Sequence, residues 1–167
     1  MTTTAQVISK EDLLKHWQGH RNLTRRVIEL FPQKDFFEFS IGGMRTFAQL
    51  TSELLAIASP GLKGIVNRKV EPFSEEAEKF TTKEQFLKKW DESTAEINDL
   101  WEQLSMEDFS DTFNLFGQYE FPIIQNILYF IGLKMANEVK FYIFIRKILM
   151  FCLKLLDFIF SDQILSF

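Results

Sequence analysis

Cysteine and histidine, two side chains that often bind transition metals, are scarce in this chain. Its 167 residues include one cysteine, Cys152, and two histidines, His16 and His20. A single cysteine excludes a disulfide within the chain and a zinc site built from several cysteines, and it fits a reducing, cytoplasmic setting. Two histidines alone do not complete a metal site.

Signatures of several enzyme and binding classes are also missing. The pair Gly42-Gly43 lacks the further glycine, or the Lys followed by Ser or Thr, that phosphate-binding loops need, and no serine stands in a nucleophile elbow. A net charge of −4 provides no basic surface, so we expect no nucleic acid partner. The first residues do not show the basic and then apolar pattern of a secretory signal.

One apolar segment, residues 141–160, is long enough to cross a bilayer. Each charged side chain at the centre of a bilayer costs about 2.5–3.5 kcal/mol, so we do not expect this segment to span a membrane. It contains four such residues: Arg146, Lys147, Lys154 and Asp157.

Large apolar side chains dominate what is present. The chain is 46% apolar and 25% charged, and it contains 19 phenylalanines, which predicts a globular protein with an interior filled by rings. A chain of this size buries about two thirds of its unfolded surface without disulfides or metals. We therefore expect one domain that covers residues 1–167.

Helical periodicity is the main structural signal. Apolar residues recur at helical spacing over residues 10–31, where Ser9 and Asp12 form an N-terminal cap, and over residues 43–58, with a possible further turn to Val66. A third helix is expected at 82–104, with capping boxes offered by four residues at its start, and a fourth begins at Pro122. The four residues are Thr81, Thr82, Glu84 and Gln85.

The order of these elements predicts an all-α fold. A long polar connection that includes NRKVEPFSEEAEKF separates helix two from helix three, and no sustained alternation predicts a strand. We expect a four-helix bundle with a long crossover between helices two and three.

Few residues carry metal or acid–base chemistry at a suggestive spacing. His16 and His20 lie four residues apart, which places both imidazoles on one helix face. An exposed His16, with a His20 that faces the bundle interior or hydrogen-bonds a carboxylate, explains them without a metal. Glu53 stands at the edge of the apolar face of helix two or just inside the bundle, where it is a metal ligand, a solvated carboxylate or the partner of an arginine.

Four segments of residues 13–131 resemble the DinB-like family of bacterial four-helix bundles. They read HWQGHRNLTRRVIELFP, FFEFSIGGMRTFAQLTSELLAIASPGLKGI, TKEQFLKKWDESTAEINDLW and FGQYEFPI. The resemblance implies a divalent metal, zinc or nickel, held by a His on helix two and a His-x3-His pair on a later helix that is followed by Arg-Gly-Gln. It also implies a small-molecule substrate, since characterised relatives include thiol S-transferases and hydrolases.

The chain departs from this pattern at the implied metal site. If Glu53 occupies the position of the family's acidic residue, Gln49 stands where the first His ligand would be, and an amide is a poor ligand for zinc or nickel. The His-x3-His pair would fall between residues 132 and 141, which read GLKMANEVKF. The metal candidates that remain are His20, Gln49 and Glu53, and as sequenced we expect no bound metal.

Two hypotheses of function follow. The first is a DinB-like protein whose metal-dependent transferase or hydrolase chemistry is degenerate or lost. The second is a non-enzymatic helical interaction protein in which the Phe-rich tail, residues 133–167, docks on a partner or pairs two chains into a homodimer.

The composition of this tail leaves two origins open. Residues 133–167 contain no Gly, Pro or His and are rich in Phe, Ile and Lys, as expected either of a shifted reading frame in an AT-rich gene or of a site lost in a functional protein. Resequencing codons 128–140 separates the two. A one- or two-base change that restores a downstream His-x3-His and Arg-Gly-Gln supports the frameshift, and a clean read of the present frame refutes it.

Overall fold

Three long helices and a shorter fourth one form a bundle in the computed structural model. The structure describes residues 8–40, 42–70, 72 and 80–132. The long helices are α1 (Lys10–Leu30), α3 (Phe47–Val66) and α4 (Lys83–Glu102), and α5 covers residues 123–132. A short helix, α2 (Gln33–Glu38), and a hairpin of β1 (Thr112–Leu115) and β2 (Tyr119–Pro122) complete the described elements.

Side-chain caps mark the starts of the long helices α1 and α4. The Ser9 hydroxyl accepts a hydrogen bond from the Asp12 amide at the start of α1, and Thr82 forms a capping box with Gln85 at the start of α4. Both caps satisfy backbone N–H groups that lack a partner within the helix. These two predictions from the sequence are confirmed.

The directions of the helices follow from contacts along their lengths. The Lys83 ammonium donates to the Glu29 carbonyl at 2.8 Å, and Trp17 contacts Trp101 with ring centroids 5.9 Å apart, so α1 and α4 are antiparallel. Helix α3 runs parallel to α4, because Phe36 contacts the starts of both helices, at Phe47 and Phe86, and Lys63 further along α3 pairs with Glu96 further along α4. Two parallel neighbours require the long connection that was predicted between them.

Two clusters of buried apolar side chains occupy the two ends of the bundle. The cluster near the start of α1 joins α1, α3, α4, the hairpin and α5; Trp17, Leu62, Ile97, Trp101, Leu115, Ile127 and Phe130 belong to it. The cluster at the other end joins α1, α2, α3 and α4; Ile28, Phe31, Phe36, Phe47, Leu54, Phe86 and Trp90 belong to it. Phenylalanine rings therefore pack in both clusters of the interior.

Helix α3 continues through Ser59-Pro60-Gly61, where the sequence predicted its end. Pro60 lies inside the helix and cannot donate a backbone hydrogen bond, a cost of about 3 kcal/mol in a helix interior. Ile57 before the proline and Leu62 and Ile65 after it are all buried. Burial on both sides outweighs the loss at Pro60, so the helix ends at Val66, the longer of the two predicted extents, and not at residue 58; it begins at Phe47 instead of the predicted residue 43.

The expectation that the chain contains no strand was also wrong. Strands β1 and β2 pair in antiparallel register, with Phe113 opposite Phe121. The turn between them has positive φ at Phe116 (56°) and Gly117 (72°), as in the type I′ turns that suit hairpins. Such turns are usually marked by Asn-Gly, whereas this one reads Phe116-Gly117. Because phenylalanine is uncommon at positive φ, the sequence did not predict the turn.

Helix α5 holds the hairpin through a buried amide. The Asn126 Nδ2 donates to the backbone carbonyls of Phe113 at 3.2 Å and Phe121 at 3.3 Å. One side chain thus bonds to both strands, and it positions the hairpin against the first turn of α5. Hydrogen bonds of this kind contribute about 0.5–1.5 kcal/mol each.

Several predictions concern residues outside the described part of the chain. They include the character and origin of 133–167, the candidate membrane segment 141–160, and Cys152. Across the described ranges, no helix is long and apolar enough to cross a membrane.

Gly61 allows the closest approach of α5 to α3. A Cβ added there would lie 2.6 Å from Phe130 Cζ and 3.3 Å from Phe116 Cζ. We therefore expect Gly61→Ala to destabilise the fold by about 1–3 kcal/mol in urea denaturation. The matched control is Gly19→Ala on α1, where an added Cβ meets nothing within 4 Å.

Because alanine is the better helix former, we expect Gly19→Ala to stabilise the fold by up to about 1 kcal/mol. A shift of both variants in the same direction would contradict this account of Gly61.

Candidate functional site

An ion pair holds the carboxylate predicted as a metal ligand at the start of α3. Arg45, just before the helix, places its Nη2 atom 2.7 Å from Glu53 Oε2. The Glu53 side chain is 19% exposed, whereas that of Arg45 is 45% exposed. The partly buried carboxylate is therefore neutralised by a guanidinium, and pairing with an arginine was one of the three roles that the sequence left open.

Gln49 caps the same helix. Its side-chain Oε1 atom accepts a hydrogen bond from the backbone N–H of Thr46 at 2.8 Å, and its backbone N–H donates to Thr46 Oγ1 at 3.3 Å. These reciprocal bonds form a capping box, which satisfies backbone donors at the helix start. The carbonyl oxygen of Gln49, the only atom of its side chain suited to a hard metal, already accepts a hydrogen bond.

The charge of Glu53 acts on one of a pair of tyrosines. The rings of Tyr119 on β2 and Tyr129 on α5 have centroids 6.0 Å apart. The pKa of the Tyr129 phenol is raised, first by burial and then by Tyr119 and the negative charge of Glu53. We name Arg45, Glu53, Tyr119 and Tyr129 the polar cluster, because Arg45 pairs with Glu53, Glu53 acts on Tyr129, and the Tyr129 ring lies near that of Tyr119.

His16 and His20 lie on the outer side of α1. Their rings meet edge to face, with centroids 4.6 Å apart and planes at 89°. His16 is exposed and His20 partly exposed, and both line an open groove with Asp12, Lys15, Gly19 and Leu23. The six described residues that line this groove all belong to α1, and neither Gln49 nor Glu53 is among them.

The three metal candidates thus lie in different settings. Across residues 8–40, 42–70, 72 and 80–132, no group of three or more His, Cys, Asp or Glu side chains could hold a metal ion. The segment 132–141, which the resemblance gives to two further ligands, lies outside the described residues except for Gly132. Metal binding by His20, Gln49 and Glu53 stays a prediction.

Arg21 is a buried charge that the sequence did not reveal. Its side chain is 1% exposed, and its Nη2 atom donates to the Trp90 carbonyl at 3.1 Å and to Thr94 Oγ1 at 2.9 Å. The guanidinium carbon lies 4.3 Å from the centre of the Trp90 ring, a cation–π contact. Burial lowers the pKa of Arg21 to about 9. These bonds to neutral oxygens join α1 to α4.

An exposed ion pair continues the same contact between helices. Arg25 Nε donates to Asp91 Oδ1 at 2.7 Å and its Nη2 donates to Asp91 Oδ2 at 3.0 Å. The hydrogen bonds from Arg25 lower the pKa of Asp91. Both groups contact water, so we assign them to the helix interface and not to a reaction.

Sequence reasoning missed most of the polar cluster. Tyr119 and Tyr129 lie far from Glu53 in the chain, and no spacing rule connects them to it. An arginine eight residues before a helical glutamate was the only available signal, and it is weak because such pairs are common on surfaces.

Comparison with solved structures shows a DinB-like fold. The chain superimposes on the crystal structure of a DinB-like protein from Bacillus cereus ATCC 10987 with a TM-score of 0.67. The match covers 82% of this chain and 91% of the other at 14% sequence identity. No protein-family model matches the sequence, and no curated protein matches it. At this identity the likeness establishes the fold alone, and it confirms the fold expected from the resemblance.

The raised pKa of Tyr129 tests the geometry of the polar cluster. Replacing Glu53 with Gln removes a negative charge that disfavours the phenolate, so we expect the pKa of Tyr129 to fall towards its usual value. Tyrosinate absorbance during an alkaline titration measures this change, and Tyr129→Phe identifies the contribution of that ring. An unchanged titration in Glu53→Gln would show that Glu53 does not act on Tyr129.

Proposed function

We propose that this chain is a DinB-like bundle in which the divalent-metal chemistry of thiol S-transferases or hydrolases is degenerate or lost. The observation that carries the proposal is the use of Gln49 and Glu53 in the structure of α3. Gln49 closes a capping box with Thr46, and Glu53 pairs with Arg45. Both side chains therefore have structural roles at the positions where the resemblance places metal chemistry.

The chemistry of these donors supports the same conclusion. Zinc and nickel prefer imidazole or thiolate ligands to an amide oxygen, and Gln49 offers only the amide. A cation at Glu53 would also lie near the Arg45 guanidinium, which is 2.7 Å from the carboxylate, and like charges at such distances repel. A metal in a site of this class would supply a Lewis acid or activate a thiol or water.

Metal content after purification tests this proposal. We expect the full chain, produced with added zinc and nickel and passed through gel filtration, to retain far less than one ion per molecule in elemental analysis. The reason is that no strong ligand set remains at Gln49 and Glu53.

A stoichiometric ion would contradict the proposal if its retention required Glu53. The test variant is Glu53→Gln, and the matched control is Glu96→Gln. Glu96 is also a partly exposed helical carboxylate with structural partners, since it accepts a hydrogen bond from Ser59 and pairs with Lys63 at 3.7 Å. Metal lost in the first variant and kept in the second would establish Glu53 as a ligand.

A non-enzymatic role as a homodimer is the second candidate, and an exposed apolar surface favours it. Four large side chains of β2 and α5 are 40–50% exposed: Tyr119, Phe121, Leu128 and Tyr129. We name these residues the aromatic surface. A patch of this kind is a common feature of contacts between protein chains.

Light scattering over a range of concentrations tests this second role. We expect the chain to have twice the monomer mass, and the double variant Phe121→Ser with Leu128→Gln to have the monomer mass, because two large apolar contacts are lost. Leu30→Ser is the control, since Leu30 is 83% exposed at the end of α1 and lies outside the aromatic surface. A monomeric parent chain would refute the homodimer.

A further inference from the structure

The outer face of α1 carries a pair of imidazoles that neither proposed role uses. His16 and His20 are one turn apart, and their ring centroids lie 4.6 Å from each other. Side chains at this spacing point from the same face of a helix, where they can bind one ion together. We propose that His16 and His20 form a two-histidine chelating site for a transition-metal cation such as Ni²⁺, Cu²⁺ or Zn²⁺.

The helix backbone beneath the pair is held firmly by neighbouring residues. Trp17, next to His16, and Arg21, next to His20, are each 1% exposed and anchor α1 against α4. Their burial fixes the rotation of the helix and keeps positions 16 and 20 on its outer side. Pre-organised ligands of this kind lose less entropy when a cation binds.

The groove beside the two rings leaves room for the other ligands of the cation. It is open along one face of α1, where His16, Gly19 and His20 line it. A cation bound to two imidazoles would therefore complete its coordination with water. Each imidazole uses one ring nitrogen for the metal and keeps the other for a hydrogen bond.

The charges and donor types of the groove indicate the class of cation. Imidazole suits zinc, copper and nickel, whereas calcium and magnesium require several oxygen ligands. Asp12 brings a negative charge to the groove and Lys15 a positive one, so the local charge is balanced. The Asp12 carboxylate also accepts from the Ser9 hydroxyl at 2.8 Å. With two protein ligands we expect weak and reversible binding.

Ni²⁺ is the probe for the experiment, and the full chain is the sample. The chelating geometry exists only when α1 is helical, so binding should stabilise the folded state. At a Ni²⁺ concentration about ten times the dissociation constant, we expect the unfolding midpoint to rise by about 3–5 °C. EDTA should reverse the rise.

A double variant that exchanges two neighbouring residues is the matched test. Lys15→His with His16→Lys keeps the composition and charge but separates the histidines by five residues, which moves one of them off the shared face. We expect its Ni²⁺ affinity in calorimetry to fall about tenfold or more, because the second imidazole no longer acts at high effective concentration. Lys15→Ala alone should keep or increase the affinity.

Two results would overturn the proposal. One is a parent chain whose midpoint does not respond to Ni²⁺, and the other is an exchanged variant that binds as tightly as the parent. The test of the chelate and the test of the proposed function give results that can be told apart. A tightly held ion that depends on Glu53 and survives the exchange would contradict the proposed function, whereas a weak Ni²⁺ response lost in the exchange supports only the chelate.

Discussion

The packing of Phe130 against Gly61 and Trp17 is the contact on which the closure of the bundle depends. The Phe130 ring stacks on Trp17 with centroids 6.0 Å apart and planes at 24°, and it fills the space left by the absent side chain of Gly61. This single ring joins α5 to α1 and α3. The hairpin then follows, because Asn126 on the same helix bonds to both strands. The polar cluster around Glu53 forms where these elements meet.

Local signals predicted the helices well and the irregular segments poorly. The caps at Ser9 and Thr82 are chemical features of a few adjacent residues, so the starts of α1 and α4 could be read from the chain. The passage of α3 through Pro60 depends on burial of residues on both sides, which no local rule contains. The hairpin was not predicted because its turn places a phenylalanine, Phe116, at positive φ, where this residue is uncommon.

The candidate site could be predicted only in part, for a physical reason. Glu53 was expected to bind a metal, to be solvated or to pair with an arginine, and the structure shows the pair with Arg45. Gln49 was expected in the position of a missing ligand, and its capping bonds explain why an amide suits that place. Tyr119 and Tyr129 approach from other elements, so only the folded chain brings them to Glu53. The bundle therefore keeps its fold while Gln49 and Glu53 stabilise helix α3.

The central claim is that the start of α3 is held by a capping box and an ion pair and needs no metal. The unfolding midpoint of the full chain as purified, measured with and without an excess of EDTA, tests this claim most directly. The account predicts the same midpoint in both conditions. Thr46 and Gln49 satisfy each other's hydrogen bonds in the capping box, and Arg45 neutralises Glu53, so no metal is needed. A midpoint lowered by EDTA, and restored by added zinc or nickel, would show a structural metal and contradict the account.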